Sequence, residues 1–207
     1  MNNDRYITRS CLISGNKIFK SGELIFEHPG NAAEFFDFSY KYLNLAYPKF
    51  HKMDQLCKLG ILATEVLLKD SGHEKKYGDT ETGLILSNKH ASLDVDLKYA
   101  KTIETGASPA LFVYTLPNIV IGEISIRYRF KGENAFFVFN HFDANFITAY
   151  VNDLFEGNLI RSCICGWVDI FKENYRASLF LIEKENPGNA ITFTAENLKL
   201  LNKEDHG

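Results

Sequence analysis

Five consecutive apolar residues, Ala135-Phe136-Phe137-Val138-Phe139, most limit what this chain can fold into. The run is too short for an ordinary helix and rich in residues that favour extended backbone. It reads as a strand that is apolar on both faces and therefore buried. Lys131-Gly132-Glu133-Asn134 before it is a turn. After it, Phe142, Phe146, Tyr150 and Leu154 recur every four residues, with Ile147 and Val151 beside them. That is the core-facing side of a helix ending at Gly157. The strand must therefore bend into the helix at Asn140-His141-Phe142-Asp143. Backbone N–H groups at such an elbow stabilise a thiolate or an oxyanion, so it is a natural seat for a nucleophile. The residues at this elbow are neither Cys nor Ser.

Periodicity organises the rest of the chain. Residues 7–13 read as a short strand, 17–26 as an irregular extended segment and 34–47 as a helix crowded with aromatics. Apolar residues at 53, 56, 59, 63, 66 and 67 make one stripe of a helix within 48–69, stopped by Gly72. Residues 82–87 form a strand and 93–103 a helix. Ser108-Pro109 opens a further helix, and a helix over 119–128 carries Gly122 and Ser125, which suggests close packing. Strands follow at 159–168 and 178–183, with an edge strand at 191–193 and a turn at 186–189 between them. Residues 199–207 read as a charged, frayed tail. Strands alternating with helices predict one α/β layered domain over 1–207, with a mixed five-stranded sheet flanked by helices.

Several function classes are disfavoured. A net charge of −3 gives no reason to expect nucleic acid. No apolar run is near membrane-spanning length, and the start of the chain lacks a charged-then-apolar leader pattern. The expectation is a cytoplasmic protein. Cys11, Cys57, Cys163 and Cys165 do not form a disulfide framework. Cys163-Ile164-Cys165 lies in an apolar run, so its thiols read as buried rather than metal-binding. His90 with Asp94 or Asp96 lacks a third ligand at helical spacing, so no metal is expected there.

One family's pattern runs through the chain in order. Its marks are Lys52-Met53-Asp54-Gln55-Leu56, Gly83-Leu84-Ile85-Leu86-Ser87, Ser108-Pro109, Pro117-Asn118, Ser125-Ile126-Arg127, Lys131-Gly132-Glu133-Asn134 and Gly166-Trp167-Val168-Asp169. Over about residues 48–185 the chain resembles the N-terminal half of β-ketoacyl synthases. The resemblance implies a thiolase-like α/β fold, half of the ketosynthase fold. Counting from Gly132 puts the family's catalytic Cys at His141, give or take one residue. The family's Gly-His-x-x-Gly and His-x-Thr-Gly-Thr motifs are missing too, so all three condensing roles are vacant.

What the resemblance implies is a non-catalytic subunit similar to the short chain-length factors of aryl polyene-type pathways. It would pair with a full-length, active β-ketoacyl synthase in fatty acid or polyketide-type biosynthesis. In that fold the strand beside the nucleophile pairs across the dimer axis, so Phe136, Phe137, Val138 and Phe139 are the expected interface. Phe112, Tyr114, Phe139 and His141 are the expected lining of an acyl tunnel. The acyl carrier protein is a further candidate partner, and no cofactor is expected. Two other readings stay open. One is an independent acyl-transfer enzyme using His141 or the Cys163/Cys165 pair. The other is a homodimeric acyl-binding protein.

Overall fold

The computed structural model describes residues 5–186, 188 and 190–203. The chain opens with three strands, β1 (Tyr6–Ser14), β2 (Lys17–Lys20) and β3 (Glu23–Glu27), then helix α1 (Ala32–Tyr42). A 3-10 turn over Pro48–Lys52 leads into α2 (Gln55–Leu68), the short α3 (His73–Lys76) and β4 (Thr82–Asn88). Next come α4 (Leu93–Ile103), the single turn α5 (Pro109–Phe112), α6 (Ile119–Tyr128) and β5 (Asn134–Val138). The chain continues through α7 (Ala144–Glu156), β6 (Ser162–Phe171), β7 (Asn174–Glu183), β8 (Ile191–Thr192) and α8 (Ala195–Lys203).

The fold is α/β and its sheet mixed, as expected, but among the described residues the sheet has eight strands in the order β3-β2-β1-β7-β6-β4-β5, with β8 beside β1. The five-strand expectation missed the segment after residue 16. Asn16 takes a left-handed φ of 63°, and with Gly15 it turns the chain back, so β2 pairs antiparallel with β1 and β3 with β2. β4, β5 and β6 are parallel, and β6, β7 and β1 continue antiparallel.

Helices cover both faces. On one face α1, α2 and α6 pack on Ile13, Leu84, Ile164, Val168 and Leu179. On the other, α7 and α8 pack on Ile7, Ile85, Cys163, Phe180 and Ile182. α2 is buried almost all round because it lies between the sheet, α1 and α6. Burying Leu59, Ile61, Leu62 and Leu67 contributes about 1.5–3 kcal/mol each. Asp54 caps this helix, accepting the Cys57 N–H at 3.0 Å, so the helix starts after Pro48 rather than at it.

The close packing expected at Gly122 is found elsewhere. A Cβ on Gly122 would meet nothing within 4 Å, whereas one on Gly60 of α2 would lie 2.4 Å from Val120 Cγ2 on α6. Gly166, in β6, has φ +147°, and a Cβ there would sit 2.1 Å from the Ser178 carbonyl oxygen. Lys199–Lys203 is helix rather than tail, because Leu198 anchors α8 in the core. Residues 204–207 of the expected tail, and Pro187 and Asn189 of the expected turn, lie outside the described residues. Among the described residues no helix is long and apolar enough to cross a membrane.

Candidate functional site

β5 is a sheet edge, not the buried strand its composition predicts. Its only strand partner among the described residues is β4, with Leu84 opposite Asn134 and Asn88 opposite Val138. The Glu133 carbonyl accepts the Leu84 N–H, and the Phe139 N–H donates to the Asn88 carbonyl, both at 2.9 Å. Since alternate residues of a strand bond to the same side, 133, 135, 137 and 139 face β4. The N–H and C=O groups of Asn134, Phe136 and Val138 therefore point outward.

The two faces of β5 are covered separately. Phe136 packs on the α2/α6 side, while Ala135 and Phe137 pack on the α7 side. Phe137 sits 5.8 Å from Phe139, 4.7 Å from Phe146 and 5.2 Å from Tyr150, ring centre to ring centre. The rings are thus held by the chain's own helices. Of the apolar residues of β5, Val138 is the one left open, 51% exposed, and Asn134 is exposed at the other end of the strand.

The elbow follows directly. Asp143 caps α7, its side chain accepting the Phe146 N–H at 3.0 Å. His141 is exposed at the bend, with no hydrogen bond or ring partner among the described residues. An imidazole that nothing orients is not set up as a general base.

The cysteines offer no substitute nucleophile. All four are buried. Burial, with a contribution from Cys165, pushes the Cys163 thiol well up, and burial does the same at Cys57. Such thiols stay protonated.

The tunnel candidates lie in separate places. Phe112 is exposed on α5 with its ring 5.6 Å from Tyr99 of α4. Tyr114 is buried on the α2/α6 side. Its hydroxyl is held protonated to unusually high pH by burial and by the neighbouring Glu123 charge. Phe139 stands with Phe137 and Phe146 on the α7 side. A cavity of about 500 Å³ lies elsewhere, at the C-terminal ends of α2 and α6, walled by His73, Tyr77, Tyr128 and Phe130.

His90 has a partner the sequence did not indicate. Asp94 bonds Lys98 and the Lys172 N–H, and Asp96 accepts from Ser92. It is Asp169, 79 positions away on β6, whose Oδ2 meets His90 Nδ1 at 2.8 Å. No signal short of the β4–β6 pairing could have linked the two. Among the described residues no three metal-binding side chains come together.

No family model matches the chain, and no curated protein matches it either. Solved structures do. The chain is similar to the ishigamide ketosynthase/chain length factor (TM-score 0.64, 17% identity), covering 90% of this chain and 63% of that one. It is similar to a β-ketoacyl synthase from Burkholderia phymatum (TM-score 0.60, 10% identity), covering 87% of this chain and 59% of that one. It is also similar to a structure of a ketosynthase in complex with its chain length factor from Xenorhabdus doucetiae (TM-score 0.53, 11% identity), covering 96% of this chain and 90% of that one. The fold is therefore ketosynthase-like and thiolase-like. The chain spans less than two thirds of the first of these and of the Burkholderia enzyme.

Proposed function

We propose that this chain is a non-condensing, ketosynthase-like subunit that pairs, through the open edge of β5, with an active β-ketoacyl synthase handling acyl thioesters. The open edge carries the reading. A sheet edge exposes unpaired N–H and C=O groups, and proteins guard such edges with charge unless they are meant to pair. The opposite edge, β3, begins with Glu23 and ends with Glu27, and its pairing with β2 is interrupted by an irregularity between Ile18 and Phe19. From Ala135 to Phe139 the β5 edge has no charge at all.

The elbow supports the same reading. With His141 unpartnered and the thiols buried, the chain has no acyl-accepting nucleophile there, so condensation needs a partner that brings one. Exposed apolar side chains on α4 and around α5, namely Leu97, Phe112, Val113 and Leu116, are further surface for a partner or an acyl chain. Phe139 and His141 follow the β5 edge in the chain and are proposed to contact an acyl chain bound there. Structures similar to this chain are described as a ketosynthase with its chain length factor, and as a type II acyl-carrier protein with its ketosynthase. Both partners are accordingly proposed here, the second as a transient one. A self-paired homodimer along the same edge is the competing assembly.

The test is co-expression with each ketosynthase of the same genome, followed by purification on a tag carried by this chain alone. A stoichiometric ketosynthase, with condensing activity in the complex only, supports the reading. A homodimer with no ketosynthase bound refutes it.

A further inference from the structure

The turn after β4 is built more rigidly than a connecting loop requires. Asn88, fully buried, brackets Ala91 from both sides: its Nδ2 donates to the Ala91 carbonyl and its Oδ1 accepts the Ala91 N–H, each at 2.9 Å. Ala91 is held at φ 49°, a left-handed conformation that costs a non-glycine residue free energy and persists only where surroundings impose it. Asp169 fixes the middle of the turn. Its Oδ1 accepts the N–H groups of both Lys89 and His90 at 3.0 Å, and its Oδ2 accepts from the His90 ring. The imidazole lies nearly flat on Phe171, 5.1 Å away at 16°.

This arrangement fixes the chemistry of His90. A carboxylate that already accepts two backbone N–H groups accepts from the ring as well, so Nδ1 carries a proton and Nε2 is the nitrogen left to exchange one. The side chain keeps 28% of its surface exposed while Nδ1 and one ring face are covered. Nε2 has no partner among the described residues. An imidazole oriented by a carboxylate, with its second nitrogen free, is the arrangement of a general base. The turn also stands at the carboxyl ends of the parallel strands β4 and β5, the side on which open α/β sheets bind ligands.

We propose that His90, oriented by Asp169, is a general base that hydrolyses acyl thioesters, so that the subunit clears stalled acyl chains rather than extending them. The substrate class rests on the ketosynthase-partner reading; the base rests on the geometry alone. Water attacks the acyl carbon as its proton passes to His90 Nε2. The tetrahedral adduct then collapses, the C–S bond breaks, and the imidazolium returns the proton to the leaving thiolate. The products are a carboxylic acid and a free thiol.

The test uses the full chain without partner and hexanoyl-N-acetylcysteamine as substrate, following thiol release colorimetrically. The buried cysteines keep the background low. The expected result is turnover above the buffer rate. His90→Gln should lower it at least about 100-fold. Asp169→Asn should lower it and shift the pH profile, while His51→Gln leaves it unchanged. If Gln at position 90 disrupts the turn, His90→Phe keeps the stack on Phe171 and serves instead. Wild-type turnover at the buffer rate, or a folded His90 variant with full activity, overturns the proposal. Ketosynthase capture without hydrolysis sinks the base alone; hydrolysis without capture sinks the partner reading alone.

Discussion

Placing a carboxylate at Val138 separates the fold of the chain from its association. Val138 is already 51% exposed, so Val138→Asp removes only about half of the apolar burial available to a valine. That is about 1 kcal/mol, with up to about 1 kcal/mol more for strand propensity. The melting temperature should fall by about 2–8 °C and the circular dichroism should stay native. Against a partner strand the same carboxylate is desolvated with no counter-charge, at a cost of several kcal/mol. About 3 kcal/mol weakens the dissociation constant by roughly 150-fold. Sedimentation of the purified complex, with and without the substitution, reads this directly. Phe137→Asp is the wrong tool, because Phe137 packs against Phe146 and Tyr150 of its own α7, and the change attacks the fold first. Val138→Pro is the sharper companion. It deletes an N–H that faces outward and leaves the β4 ladder intact, so it too should weaken association while sparing the monomer. A dissociation constant unchanged within about fivefold in both variants would refute the edge as the interface.

Asp143→Ala removes the cap of α7 and should cost about 1 kcal/mol, read as a 2–4 °C drop in melting temperature. Gly166→Ala should cost roughly 3 kcal/mol or more and abolish soluble yield, since the added Cβ meets the Ser178 carbonyl. The chain should lose stability as pH falls below about 6.5. Burial lowers the pKa of His73, whose Nε2 bonds Ser162 and Thr82, so the unfolded chain binds its proton first. Stability is full above the unfolded value and declines as pH drops toward the folded one. His73→Phe should flatten part of that slope in melting curves taken from pH 8 to pH 5.

What could be read from the sequence follows from how local each signal was. Ile119–Tyr128 and Leu93–Ile103 match their expected helices because a 3.6-residue period is written into the segment itself. The elbow was legible for the same reason: an apolar run, then a helical stripe, leaves one place to bend. The residues from Lys17 to Glu27 were not, since two short, half-exposed strands show little alternation and owe their state to β1. Apolar composition at β5 was read as depth, but Phe136 and Phe137 are covered by helices above and below while the strand's flank stays open. Composition reports which faces are covered and says nothing of what lies beside the strand. His90 with Asp169 was invisible because its two halves meet only through sheet pairing.

The unequal edges of the sheet bear on the size of any assembly. A sheet open on both sides can add neighbours at each, and such growth has no natural end. Here Glu23 and Glu27 put charge in the way of a strand approaching β3, while Asn134–Val138 is the edge proposed to accept one. A particle with a single adhesive side is used up by its first contact. Two chains joined along β5 would show the solvent only their guarded sides, and the assembly would stop at a pair.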